Sequence, residues 1–167
     1  VTASFLIEVL GPDHARAEFS SGVEGLDRYL REQVTQDVRR RTTACYVALD
    51  VATDKVAGYY TLAAAGVALA DLPEKLAKRL PRYPSVPVAR LGRLAVDQTY
   101  RGRQLGSSLL WDATMRALRS EIAVYALVVD AKDDQAVRFY LHHGFAAFGS
   151  LPRQLVLPLA NLAPPKS

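Results

Sequence analysis

An unbroken apolar run of eight residues at 122–129, IAVYALVV, limits the possible folds of this chain more than any other feature. A half-exposed strand alternates apolar and polar side chains, because successive residues face opposite sides of the sheet. A strand that is apolar throughout is covered on both faces, as parallel strands are. Upstream, residues 86–96 have strand character, and from Arg101 to about Arg119 the pattern is helical. Strand, helix and strand together predict one right-handed βαβ crossover.

The rest of the chain fits around that unit. Phe5–Val9 reads as a first strand. Ser20 or Ser21 is placed to cap a helix with Val23, Leu26, Tyr29, Leu30, Val34 and Val38 on one face. Two strands follow, Ala44–Asp50 and residues 56–65, around the turn-like Ala52-Thr53-Asp54-Lys55. A short amphipathic helix is predicted over 72–80, stopped by Pro81. After the apolar run, a helix from about Asp133 to His142 leads through Gly144 to a closing strand pair at 145–148 and 154–159. The expectation is a mixed α/β (α+β) fold. Its central sheet is mostly antiparallel, carries one parallel βαβ unit and has helices on both faces. A length of 167 residues fits one domain, placed at 1–162, with 163–167 as a disordered tail.

Composition then excludes several chemistries. Hydrophobic residues at 50% and charged residues at 23% describe a globular chain, not a collagen, a coiled coil or a disordered polymer. A single cysteine, Cys45, rules out an intrachain disulfide framework and a cysteine-based zinc cluster. His14, His142 and His143 offer no HExxH spacing, so no metal is expected. The start, VTASFLIEVL, lacks the basic region of a secretory signal. The longest apolar stretch, 56–70, falls short of the ~20 residues a membrane span needs. The expectation is a soluble, cytoplasmic protein with no membrane attachment. The net charge is +4, and sixteen of the twenty-one basic residues are arginine, whose planar fork suits phosphate. A merely solvated basic surface fits that composition equally well.

Chemistry concentrates in residues 91–110, LGRLAVDQTYRGRQLGSSLL. An apolar strand, a short turn and a basic, glycine-containing loop run directly into a helix start. The first N–H groups of a helix lack intrahelical partners, and the helix dipole adds positive potential there. Gly102 and Gly106 allow close backbone approach, while Arg101 and Arg103 supply charge, which together suit a phosphate. Neither a Walker loop nor a dinucleotide GxGxxG is present. Taken alone, the same residues also fit a basic turn ahead of a helix.

With a second signature, Ala136 to Phe145 (AVRFYLHHGF), this loop resembles the GNAT superfamily of acyl-CoA-dependent N-acetyltransferases. RGRQLG is similar to that family's pyrophosphate loop, Gln/Arg-x-x-Gly-x-Gly/Ala, except that Gln104 replaces the inner glycine. The resemblance implies a GNAT fold and acetyl-CoA as cosubstrate. It implies that Leu94, Ala95 and Val96 line the pantetheine arm through backbone groups, as an added strand would. Arg101, Gly102, Arg103, Gln104, Leu105, Gly106 and Ser107 would hold the pyrophosphate. Asp133, where many relatives carry asparagine, and Phe139 are further implied cofactor contacts. Tyr140 is implied as the acid that protonates the departing thiolate; a phenol with a pKa near ~10 is protonated at neutral pH.

The resemblance is closer to one branch, the acetyltransferase toxins of bacterial toxin–antitoxin pairs. It runs through Phe19-Ser20-Ser21-Gly22, Leu26-Asp27-Arg28-Tyr29-Leu30, Gly58-Tyr59-Tyr60-Thr61-Leu62 and Arg93-Leu94-Ala95-Val96-Asp97. It implies acetylation of the α-amino group of aminoacyl-tRNA, a block of translation, a ribbon–helix–helix antitoxin and a homodimer. An α-amine needs little help from a base, and Glu121, Asp130 and Asp97 near strand ends offer no obvious one. Arg90, Arg93, Arg39, Arg40 and Lys78 are candidate contacts to tRNA phosphates. Arg93 stands first among them, because its strand would carry the acetyl group. His142 and His143 read as helix-end capping residues, and Cys45 as a buried small apolar residue. A GNAT enzyme for a small amine or a protein N-terminus is the first alternative; a non-catalytic, CoA-responsive binding module is the second.

Overall fold

The computed structural model describes residues 4–162, so the tail expected at 163–167 lies outside the described residues. The strands are β1 (Phe5–Val9), β2 (Ala44–Asp50), β3 (Val56–Ala68), β4 (Ser85–Val96), β5 (Ala126–Asp130), β6 (Ala146–Ala147) and β7 (Gln154–Pro158). They hydrogen-bond in the order β1-β2-β3-β4-β5-β7-β6. β4 and β5 pair in parallel, while β1–β2, β2–β3, β5–β7 and β6–β7 are antiparallel. This is the mixed, mostly antiparallel architecture with one parallel pair that the apolar run predicts. Among the described residues, 4–63 with 92–113 form one compact unit, and 64–91 with 114–162 form another.

In the first unit, helix α1 (Glu24–Arg28) runs through a π-helical turn (Tyr29–Gln33) into α2 (Val34–Arg39). The Val34 N–H bonds back to the Tyr29 carbonyl, five residues earlier. The Leu30 carbonyl is taken instead by Arg16 Nη1 at 2.9 Å. Tyr29, Leu30 and Val34 pack with Phe19, Cys45, Val47, Tyr59 and Ala95 into one core. Each large apolar side chain fully buried there contributes about 1.5–3 kcal/mol. Strand alternation sends Gly58 and Tyr60 to the other face. There α4 (Leu105–Leu118) packs so closely that a Cβ on Gly58 would lie 2.9 Å from Leu109 Cδ1. On the same face the Tyr60 hydroxyl bonds Asp112. Helices therefore cover both faces of this part of the sheet.

Two expectations change in this unit. Val23 and Val38 sit at the two ends of the helical run and are exposed. Neither serine caps α1: the N-cap is Val23, without a side-chain bond. Ser21 bonds Asp27 instead, through both its N–H and its hydroxyl, at 2.9 and 2.6 Å. α2 stops because Arg41 adopts a left-handed backbone, φ +62°. Thr42 N–H then reaches the Asp37 carbonyl and Arg41 N–H the Val38 carbonyl, a helix end normally built on glycine.

The second unit has its own core of Val67, Leu72, Val86, Val88, Ala126, Val128, Phe148 and Val156. The parallel register runs from Val88–Ala126 to Leu91–Val129. The strand expected from residue 122 begins only at Ala126, and Ile122 is 79% exposed, because only 126–130 find ladder partners. The helix expected over 72–80 shrinks to α3 (Glu74–Ala77), entered through Pro73 after a 3-10 turn at Leu69–Asp71. α5 (Asp134–His142) matches its expectation, with Asp133 as N-cap accepting from Ala136 N–H at 2.8 Å.

Candidate active site

In the first unit, β4 delivers the chain into the basic loop. The parallel ladder takes up Val88 to Leu91, so Leu94, Ala95 and Val96 lie beyond it, with Ala95 in the core and its two neighbours half-buried. After Val96 comes Asp97, which caps the 3-10 turn Gln98–Tyr100 by accepting from Thr99 N–H at 2.9 Å. Residues 101–104 are exposed, and Leu105 opens α4. The Gln104 carbonyl accepts the first helical bond, from Ser108 N–H at 3.1 Å. The first turn of α4, Leu105, Gly106 and Ser107, thus directs its N–H groups toward the loop.

Two residues of this loop have left-handed backbone: Gly102, φ +78°, and Gln104, φ +59°. Nothing lies within 4 Å of where a Gly102 Cβ would stand. Gln104 holds a left-handed backbone of the kind glycine adopts freely, at a cost of about 1–2 kcal/mol. Arg103 places its guanidinium 5.3 Å from the Tyr100 ring centre. Arg101 is exposed, yet its Nη2 donates to the Ser21 carbonyl at 2.6 Å.

That bond belongs to a clasp that sequence reasoning misses. Ser20 N–H donates to Asp97 Oδ2 at 2.9 Å, and Gln98 N–H donates to the Ser20 carbonyl at 2.9 Å. Gly22, φ +91°, completes it, since a Cβ there would run into the Gln98 side chain. The one available signal was the run Phe19-Ser20-Ser21-Gly22, which reads from sequence as a helix cap. Burial pushes the Asp97 carboxyl up. The bonds from Ser20 and Thr99 and the charge of Lys55 outweigh it and hold Asp97 below the ordinary carboxylate value. A carboxylate so engaged is a brace, not a base. Asp130 is also engaged, with Arg90 at 2.6 Å, and Glu121 is exposed.

In the second unit, α5 carries Tyr140, only 6% exposed. Its ring packs edge-on against Phe139 and Phe145, with centroids 5.1 and 5.2 Å away. The hydroxyl has no hydrogen-bond partner among the described residues, and no fully buried side-chain oxygen there lacks one, so this oxygen reaches solvent. Burial pushes its pKa well above the ordinary tyrosine value, so the phenol keeps its proton at neutral pH. Phe139 packs against His143, whose Nδ1 bonds the Phe139 carbonyl at 2.8 Å and finishes the helix. Exposed His142 stacks edge-on against it. Asp133 is committed to capping α5.

The basic candidates divide. Arg90 is paired with Asp130, and Arg93 lies over the Tyr29 ring. Arg39 and Arg40 are exposed at the end of α2 and Lys78 at the end of α3, without ion pairs among the described residues. Cys45 is 2% exposed, and burial raises its thiol to about 12. No group of three or more histidine, cysteine or acidic side chains gathers to hold a metal among the described residues. No helix there is long and apolar enough to cross a membrane.

The sequence matches the acetyltransferase (GNAT) family over residues 12–145. It is 38% identical over 141 residues, 83% of this chain and 82% of the relative, to a tRNA-acetylating toxin of Mycobacterium tuberculosis. The structure resembles that of AtaT complexed with acetyl-methionyl-tRNA(fMet), at a TM-score of 0.89 and 27% identity over 95% of this chain and 97% of that one. It also resembles a tyrosine-to-phenylalanine mutant of the toxin AtaT bound to the C-terminus of the antitoxin AtaR. There the TM-score is 0.79 and the identity 25%, over 95% of each chain.

Proposed function

Because the chain belongs to the acetyltransferase (GNAT) family, we propose that it moves acetyl from acetyl-CoA to the α-amino group of an amino acid esterified to tRNA, and so blocks translation. The observation that carries this reading is the left-handed Gln104 at the mouth of α4. It keeps the backbone of a phosphate loop where the side chain disfavours it. Gly102, with open space beside it, and the first turn of α4 fit the diphosphate of CoA. Leu94, Ala95 and Val96 take the pantetheine arm in this reading, and Asp133 and Phe139 keep the cofactor-contact roles that the family resemblance implies.

The transfer needs three events at named atoms. The amine nitrogen attacks the thioester carbonyl, the carbon–sulfur bond breaks, and the sulfur takes a proton from the Tyr140 hydroxyl. Tyr140 suits this because its oxygen reaches solvent, makes no bond within the described chain and stays protonated. Water accepts the proton from the amine, and the Tyr140 phenolate regains one from solvent. An α-amine, with a pKa of about 7.7–8.0, is easier to deprotonate than lysine near 10.4 by roughly 3 kcal/mol. The engaged state of Asp97 and Asp130 agrees with a mechanism that uses no carboxylate base.

Arg39, Arg40, Arg93 and Lys78 are the contacts to tRNA phosphates in this reading, with Arg90 available if it leaves Asp130. Residues 1–162 act as one acetyltransferase domain, as a homodimer in the cytoplasm, restrained by a ribbon–helix–helix antitoxin. The test is to add purified protein and labelled acetyl-CoA to total charged tRNA, with Tyr140→Phe as control. Label in the aminoacyl-tRNA fraction, lost in the variant, is the expected result. Acetyl-CoA binding without label in that fraction overturns the substrate assignment.

A further inference from the structure

Arg93 and Tyr29 form a pair whose geometry is unusual for an arginine of this chain. Arg93 Cζ stands 3.4 Å from the centre of the Tyr29 ring, the distance of flat stacking. Its guanidinium makes no hydrogen bond or ion pair among the described residues. Arg16, Arg31, Arg90, Arg101 and Arg153 all donate to protein oxygens. Arg93 is half-buried, yet its in-plane N–H donors are unspent among the described residues.

Local structure holds the pair. The Tyr29 hydroxyl donates to Asp37 Oδ2 at 2.7 Å. Residues seven apart share a helix face, but Tyr29 and Asp37 are eight apart. The π turn at Tyr29–Gln33 absorbs the extra residue and brings Asp37 round to Tyr29. Such turns recur at functional sites. From the strand side, the Arg93 N–H donates to Thr61 Oγ1 at 3.0 Å. The ring is thus fixed from the helix, and the arginine backbone from β3. Asp37, which could have neutralised the guanidinium, is occupied by the phenol.

A stacked guanidinium offers its N–H edge to ligands in its own plane, and that fork matches two oxygens of a phosphate or carboxylate. An amino acid esterified to tRNA has no free carboxylate, whereas the strand that carries it has a phosphate at every step. We propose that Tyr29 is a positioning residue that holds Arg93 flat, so that Arg93 binds one phosphodiester near the 3′ end of the acceptor strand. This rests on the aminoacyl-tRNA reading above and adds to it a defined contact and the residue that shapes it.

The test compares two acceptors carrying the same amino acid: charged tRNA, and the phosphate-free aminoacyl ester of adenosine. Variants are Arg93→Gln, Arg93→Lys, Tyr29→Leu and Tyr29→Phe, each checked for an unchanged circular dichroism spectrum. Arg93→Gln should raise KM for charged tRNA tenfold or more. Its loss of kcat/KM there should exceed its loss on the adenosine ester by at least that factor. The dependence of log(kcat/KM) on log salt should become shallower by about 0.7, the slope for one single-strand phosphate. Arg93→Lys, with charge but no fork, should fall between. Tyr29→Leu should reproduce the KM effect, and Tyr29→Phe, which keeps the ring, should lose less. Equal losses on both acceptors, or a loss confined to kcat, overturn the phosphate contact. A harmless Tyr29→Leu beside a damaging Arg93→Gln overturns the positioning role. Wild-type protein that acetylates the ester but not charged tRNA overturns the underlying reading, and this one with it.

Discussion

Arg101 Nη2 donates to the Ser21 carbonyl at 2.6 Å, which ties the basic loop before α4 to the segment before α1. The arginine proposed to offer charge to the diphosphate of CoA is thus also a strut for its own loop. Its neighbours Asp97 and Ser20 complete the tie, and four experiments test this arrangement, the proposed acid Tyr140 and the buried Cys45.

Asp97→Ala removes the acceptor of Ser20 N–H, Thr99 N–H and the Thr99 hydroxyl. Leaving such donors unpaired costs about 1–3 kcal/mol, readable by urea unfolding. Acetyl-CoA affinity should fall with it, because the loop loses its brace. The pH dependence has a definite sign. The folded pKa of Asp97 is lowered, so its stabilisation is full above the unfolded value of about 3.9 and is lost as pH falls through the folded value. Asp97→Asn should therefore lose stability less steeply in acid than the wild type.

Tyr140→Phe should fold as well as the wild type, within about 0.5 kcal/mol, since the hydroxyl makes no bond within the described chain. Its kcat should drop by about 10²–10⁴, the usual worth of a positioned acid, with acetyl-CoA affinity kept. In the wild type, kcat should show no tyrosine-linked fall up to about pH 9, because burial moves the phenol above its ordinary value. A parallel loss of melting temperature and activity would assign Tyr140 to packing.

Gln104→Gly should stabilise the fold by about 0.5–1 kcal/mol, as relief of left-handed strain exceeds the added freedom of the unfolded chain. Gln104→Val, β-branched at φ +59°, should destabilise it and weaken acetyl-CoA binding. Thermal unfolding and calorimetric titration of both variants read the two effects.

Cys45 should resist thiol reagents at pH 8 in the folded protein and react on unfolding, since burial raises its thiol to about 12. Rapid mixing with labelled acetyl-CoA should leave no acetyl group on Cys45. A stoichiometric acetyl-protein would point to a two-step transfer in place of direct attack.

Local signals were legible in the sequence, and distant ones were not. β1 and β2 begin and end where alternation and turn residues place them, and α5 begins within one residue of its expected start near Asp133. The apolar run misled at its start: Ile122 is exposed, because strand limits follow the partners on β4 and β7, not hydrophobicity. Ser20 and Ser21 look like caps from their neighbours alone. Their actual partners include Asp97 and Arg101, 77 and 80 residues away, and no local pattern encodes such a bond. The π turn was invisible because Leu26, Leu30 and Val34 fit an ordinary helix as well. Gln104 was identified as a departure in the loop, but only its φ shows that the backbone keeps the glycine shape.

The clasp also sets a schedule for synthesis. Ser20 and Ser21 leave the ribosome long before Asp97 and Arg101 exist, and a bond across 77 or 80 residues cannot form until both ends have emerged. Closing so long a loop is slow compared with forming a helix or hairpin. The loop before α4 therefore takes its shape only after residue 101 has emerged, when β1, α1, α2, β2 and β3 are already outside.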